Sequence, residues 1–215
     1  MKRYLFCISL ATAAVGTLFI STARAEDDAK EALKKAQKAQ LDAPASRMKM
    51  ISTDAENKLS TMTIEFVKPD MMYWKMEENS QVKMEMWSDG KKTFMRHGPD
   101  GEIKEAPMNM SALITQARQS GSLEALIGMA KELKFVGHEK VNGTSASVYT
   151  FKTAIMGLDS VAKIWISDAD NRPLKSESET HGELKIGSGP GRTTNKKSAI
   201  TYEYDPSIKV VMPTK

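Results

Sequence analysis

The sequence predicts a mainly β protein with added α structure, in which short antiparallel strands form one sheet and amphipathic helices cover its apolar face. Three observations predict it. Apolar and polar residues alternate with a period of two through residues 46–98 and again through 134–204, turn-forming residues separate the runs, and a stretch of helical period at 109–133 lies between the two blocks. Short strands in one domain must close on themselves or be covered, because open apolar faces and edges aggregate.

The chain opens on a segment of another kind. Lys2 and Arg3 precede an apolar run that contains Cys7, and Ala23-Arg24-Ala25 supplies a small-x-small site, so residues 1–25 read as a cleavable secretory signal peptide. This changes the meaning of the charge. The 215 residues carry 31 Lys+Arg against 27 Asp+Glu, a net charge of +4 and a pI near 9.0, which invites a polyanion as partner. The signal holds three of those basic residues and no acid, so residues 26–215 carry 28 against 27, a net charge of +1. No nucleic acid is therefore expected as a partner. Cys7, the one cysteine, leaves with the signal, and a disulfide, a thiolate nucleophile and a Cys-based metal site leave with it. Only six residues precede Cys7, too short a leader for lipidation there. No later segment reaches the roughly 18 apolar residues needed to span a bilayer, so a soluble exported domain over 26–215 is expected.

That domain begins with a helix over 26–42. Glu26-Asp27-Asp28 suits the positive end of a helix dipole, Ala29, Ala32, Leu33, Ala36 and Ala39 recur at helical spacing, and Pro44 ends the pattern. Strands follow. Met48 and Met50 alternate with Arg47 and Lys49; Met62, Ile64 and Phe66 with Thr61, Thr63 and Glu65; Met72, Trp74 and Met76 with Tyr73, Lys75 and Glu77; Val82, Met84 and Met86 with Lys83 and Glu85. Lys68-Pro69-Asp70, Ser88-Asp89-Gly90, Gly98-Pro99-Asp100-Gly101, Asn142-Gly143 and Asp168-Ala169-Asp170-Asn171 sit between runs as turns. In the helical island Met110, Leu113, Ile114 and Ala117 form one stripe and Leu123, Leu126, Ile127 and Ala130 another, parted by Ser120-Gly121. The second strand block covers about 145–153, 160–167, 173–186 and 196–204, and a C-terminal segment over 205–215 completes the chain.

The apolar side of the first four strands holds seven methionines: Met48, Met50, Met62, Met72, Met76, Met84 and Met86. Methionine is unbranched and polarizable, which suits a surface that adapts to variable apolar ligands and suits a rigid core poorly. A soft hydrophobic core is the plainer explanation of the same pattern.

Phe66-Val67-Lys68-Pro69-Asp70-Met71-Met72-Tyr73-Trp74-Lys75-Met76, followed by Ser88-Asp89-Gly90-Lys91-Lys92-Thr93-Phe94, resembles the lipoprotein carrier proteins of the bacterial periplasm, the LolA-like members of the LolA-LolB-LppX-like superfamily. The element order and the ending Tyr202-Glu203-Tyr204-Asp205 are similar too. The resemblance implies an incomplete, half-open antiparallel β-barrel wrapped over helices that lid an apolar cavity, and a periplasmic protein. It implies acyl chains of lipid or lipoprotein as ligand, transport partners in the inner or outer membrane, a monomer, and neither catalysis nor a cofactor. The expected cavity wall is Met62, Ile64, Phe66, Met72, Trp74, Met76, Met84 and Met86; the lid's inner face is Leu113, Ile114, Leu126 and Ile127, with Gly121 as its hinge. Lipoprotein-carrying members have Arg before the motif's Pro as a lid tether, and here Lys68 holds that place without the planar guanidinium.

The same pocket would serve a lipid-sensing module that reports to a partner. A further alternative is Cu(I) binding, because Met48-x-Met50, Met84-x-Met86 and Met108-x-Met110, with His97, His138 and His181, are soft-ion ligand types. On one strand, i and i+2 sulfurs stand about 6.6 Å apart and need a neighbouring strand to converge. Apolar packing accounts for the pairs, and no metal site is assigned. Enzymatic motifs fare worse. Gly187-x-Gly189-x-Gly191 does not link a strand to a helix as a phosphate loop must, Asp168–Asn171 lacks the remaining ligands of a calcium loop, and neither a nucleophile elbow nor HExxH occurs. Asn142-Gly143-Thr144 reads as a tight turn before it reads as a glycosylation sequon. Trp165 between Ile164 and Ile166 reads as core, and Lys196 and Lys197 as charges guarding an edge strand.

Overall fold

The computed structural model describes residues 11–106, 128–155, 157–184 and 192–213. One long helix, α1 (Ala11–Asp42), precedes β1 (Ala45–Thr53), β2 (Leu59–Val67), β3 (Met71–Glu78), β4 (Gln81–Ser88), β5 (Thr93–His97) and the short β6 (Lys104–Glu105). After residues 107–127 come β7 (Lys131–Val141), β8 (Thr144–Ile155), β9 (Leu158–Ser167), β10 (Pro173–Leu184) and β11 (Arg192–Glu203). All pair antiparallel in one sheet of order β6-β5-β4-β3-β2-β1-β11-β10-β9-β8-β7. The sheet does not close, since β6 and β7 are its two ends. It is the half-open antiparallel barrel expected.

The turns fall where the sequence puts them. Asn142 and Gly143 both take left-handed backbone, with φ of 49° and 85°, as a tight β7–β8 hairpin requires. At the β4–β5 hairpin the Asp89 carboxylate accepts the backbone N–H groups of Lys91 and Lys92 at 2.8 and 2.7 Å. Those two donors hold its pKa below the usual range. Gly90, at φ 81°, is held to glycine by space as well, because a Cβ there would stand 2.6 Å from Asp70 Cβ. The two motifs that carried the resemblance, Lys68-Pro69-Asp70 and Ser88-Asp89-Gly90, thus pack against each other.

Three expectations need adjustment. The helix does not begin at 26 but at Ala11, because the alanine-rich segment before 26 is itself a good helix former and simply continues the rod. Helical structure does not persist to 133; β7 starts at Lys131, and Leu133 is a buried core residue of that strand. Lys196 and Lys197 are not on an edge, since β11 lies between β1 and β10. Lys197 instead pairs with Glu179 at 2.8 Å across the β10–β11 ladder.

Ala29, Leu33 and Ala36 of α1 pack with Leu133, Phe151, Ile164 and Ile166 into the main core. We call the face that carries α1 the inner face. Among the described residues no helix is long and apolar enough to cross a membrane. Trp165 is buried as expected, but on the outer face with Ala146 and Val148. Its indole N–H donates to Glu139 at 2.7 Å, and the ammonium groups of Lys163 and Lys175 lie 4.5 and 4.9 Å from its ring centre.

Candidate functional site

The register carries the inner face continuously from the core into the other half of the sheet. Tyr149 faces Ile164, Ile164 faces Ser176, Ser176 faces Ile200, and Ile200 faces Met50. The row continues through Met62, Met76 and Met84 to His97. A parallel row runs Tyr202, Met48, Ile64, Trp74, Met86, Met95, and a third pairs Phe66, Met72, Ser88 and Thr93. All eight wall candidates, Met62, Ile64, Phe66, Met72, Trp74, Met76, Met84 and Met86, therefore share the face on which α1 packs.

Their local geometry brings them close. Asn79 N–H donates to the Leu59 carbonyl at 2.9 Å, which makes that pair hydrogen-bonded and, by alternation, makes Met62–Met76, Ile64–Trp74 and Phe66–Met72 the narrow pairs with Cα atoms about 4.5 Å apart. Met72 is buried, whereas the other seven are half-buried. Met95 and His97 of β5 and Ile200 and Tyr202 of β11 join the same rows; the Thr-x-Met-x-His alternation of β5 was the available signal for the first two. Burial raises the Tyr202 hydroxyl's pKa. The lid candidates Leu113, Ile114, Gly121, Leu126 and Ile127 lie outside the described residues.

Lys68 is placed at the C-terminus of α1. Its ammonium donates to the Asp42 carbonyl at 2.8 Å and its backbone N–H to the Pro44 carbonyl at 2.9 Å. A cation on the last carbonyls of a helix satisfies an otherwise orphan acceptor and complements the dipole. In this structure Lys68 fastens α1 to the β2–β3 turn.

The outer face is built of polar ladders instead. Arg47 bridges Glu65 and Glu203, each at 2.7 Å, and the Tyr73 hydroxyl donates to Glu85 at 2.6 Å. Arg96 also pairs with Glu85. Burial pushes Glu85 up, but the bonds from Tyr73 and Arg96 outweigh it and hold the carboxyl below its usual range. Asp168 accepts Ser145 and Ser147 hydroxyls at 2.6 and 2.7 Å, which keep its pKa low, with His138 Nδ1 at 3.3 Å. Ser147 approaches that same nitrogen at 3.4 Å. A proton relay needs the nucleophile and the acid on opposite ring nitrogens, so this trio is a turn clasp.

No family model matches the chain, and no curated protein does. Solved structures do. The lipoprotein LppX of Mycobacterium tuberculosis superposes with a TM-score of 0.57 at 11% identity, covering 86% of this chain and 99% of its own. LprF of Mycobacterium bovis gives 0.53 at 10%, covering 88% and 98%. With the open eleven-stranded sheet and its internal helix, these likenesses show that the chain has an LppX-like fold.

Proposed function

We propose that the chain is a lipid-binding carrier of the bacterial cell envelope, exported to the periplasm by residues 1–25, that shields acyl chains against the Met-rich inner face of β1–β5. The observation that carries this reading is the register itself. Two adjacent rows, Met50-Met62-Met76-Met84-His97 and Met48-Ile64-Trp74-Met86-Met95, run across five strands on the side enclosed by the curl of the sheet, with Phe66 and Met72 beside them, and most of these side chains are only half-buried. Each acyl methylene removed from water is worth about 0.8 kcal/mol, so a dozen supply on the order of 10 kcal/mol before ordering costs. Unbranched thioether side chains can re-pack around chains of differing length and unsaturation. The fold shared with the mycobacterial lipoprotein LppX supports an envelope setting.

The test is uptake. Delipidated protein lacking residues 1–25 is titrated with a fluorescent long-chain fatty acid, and gently purified protein is weighed intact. Saturable uptake, or a mass excess matching a lipid, is expected. Absence of both overturns the reading.

A further inference from the structure

We propose that Met76, Met84 and His97, at one end of the inner face, form a binding site for a single soft monovalent metal ion, Cu(I). The three residues are successive partners on three neighbouring strands: Met76 faces Met84, and Met84 faces His97. Gly98 N–H donates to the Lys83 carbonyl at 2.9 Å, so Lys83 and Gly98 are a hydrogen-bonded pair. The next pair along the ladder, Met84–His97, is then of the narrow kind, with side chains on the same face at their closest approach. Strands about 4.8 Å apart put two thioethers and one imidazole within a span of about 10 Å. The long methionine side chains can lean across that span toward a common point, which two sulfurs on one strand cannot do alone.

The donor set selects the ion. Thioether sulfur and neutral imidazole suit Cu(I) and are poor ligands for hard cations. Among the described residues no three His, Cys, Asp or Glu side chains gather to hold a harder metal. His97 also differs from the other two histidines. His138 is engaged by Asp168 and Ser147, and His181 lies 3.9 Å from Glu179. The His97 ring is exposed and has no hydrogen-bond or ion-pair partner among the described residues. The strand charges beside the site, Lys83 and Arg96, alternate onto the outer face. Met95, opposite Met86 in the adjoining row, offers a further thioether.

The test is competition for Cu(I) under anaerobic, reducing conditions, with Cu(I) held by the chromophoric chelator bicinchoninate. Wild-type protein is expected to withdraw one equivalent. His97→Gln and Met84→Leu, both close in volume to the residues they replace, should each weaken binding by at least about tenfold, while His181→Gln leaves it unchanged. Thermal melts of the three variants verify that they fold. Failure of the wild type to withdraw copper, undiminished binding in both ligand variants, or an equal loss in His181→Gln overturns the proposal. Fatty-acid uptake is measured separately on the metal-free wild-type protein, so the fate of the metal site is read apart from that of the carrier reading.

Discussion

The inner face of the sheet has two halves that meet at β11. Toward β7 it is covered by α1, and the side chains there are sealed: Leu33 is 1% exposed, Phe151 6% and Ile164 2%. Toward β5 the same face carries Met62, Ile64, Trp74, Met76, Met84 and Met86, all half-buried. The residue types differ with the covering. Where a helix fixes the shape, the sheet presents branched and aromatic side chains with few rotamers; away from it, the sheet presents methionine, which adapts at little cost. One β-sheet thus combines a packed core with an adaptable surface, with no domain boundary between them.

The sharpest way to break this comparison is to truncate one residue in each half. Leu33→Ala should cost about 3 kcal/mol in a denaturant titration, whereas Met62→Ala, half-exposed already, should cost less than about 1 kcal/mol. Equal losses would mean that the two halves are one core. A charge in the adaptable half should act on ligand rather than fold: Met62→Glu is expected to lower fatty-acid uptake at least tenfold, about 1.4 kcal/mol, while Met62→Leu preserves it. The fastening of α1 comes next. Lys68→Ala removes the bond to the Asp42 carbonyl and should cost about 1 kcal/mol, visible as faster amide exchange in the last turn of α1, with Lys68→Arg close to wild type. The smallest effect belongs to Glu85 on the outer face. Its pKa is held below the usual glutamate range in the folded state, so the stability it contributes is present above that range and lost as pH falls through the lower folded value. Glu85→Gln should therefore be less stable than wild type at pH 7, and the gap should close in melts taken at pH values progressively below the usual glutamate range.

Much of this was legible in the sequence because period-two alternation survives wherever one face of a strand is apolar and the other polar. β1 to β4 and the five turns fall in that class. β7 does not: register shifts between Lys131 and Lys134 and between Phe135 and Gly137 put successive side chains out of alternation, so its eleven residues carry no clean period. Pairing between distant strands is equally hidden. Met48 meets Tyr202 across 154 positions, and nothing local to either strand announces it. The same blindness made Lys196 and Lys197 read as edge residues, since a charged strand looks alike at an edge and in the interior when its outer face is wet. His97 and Met84 are thirteen positions apart and alternate correctly in their own strands, but only the β4–β5 register makes them neighbours.

The unclosed sheet has a mechanical consequence. In a closed barrel the radius is fixed by strand number and stagger, and a wider guest must break ladder bonds to enter. Here β6 and β7 never meet, so the arc can spread or tighten by small changes in twist while each of the ten ladders between them stays intact. The charged, kinked β7 rim keeps that freedom from becoming a seam for other chains: Phe135 and Val136 are 48% and 53% exposed there, but Lys131, Glu132, Lys134 and two bulges surround them. An open sheet of this kind has room to change its girth without giving up a ladder.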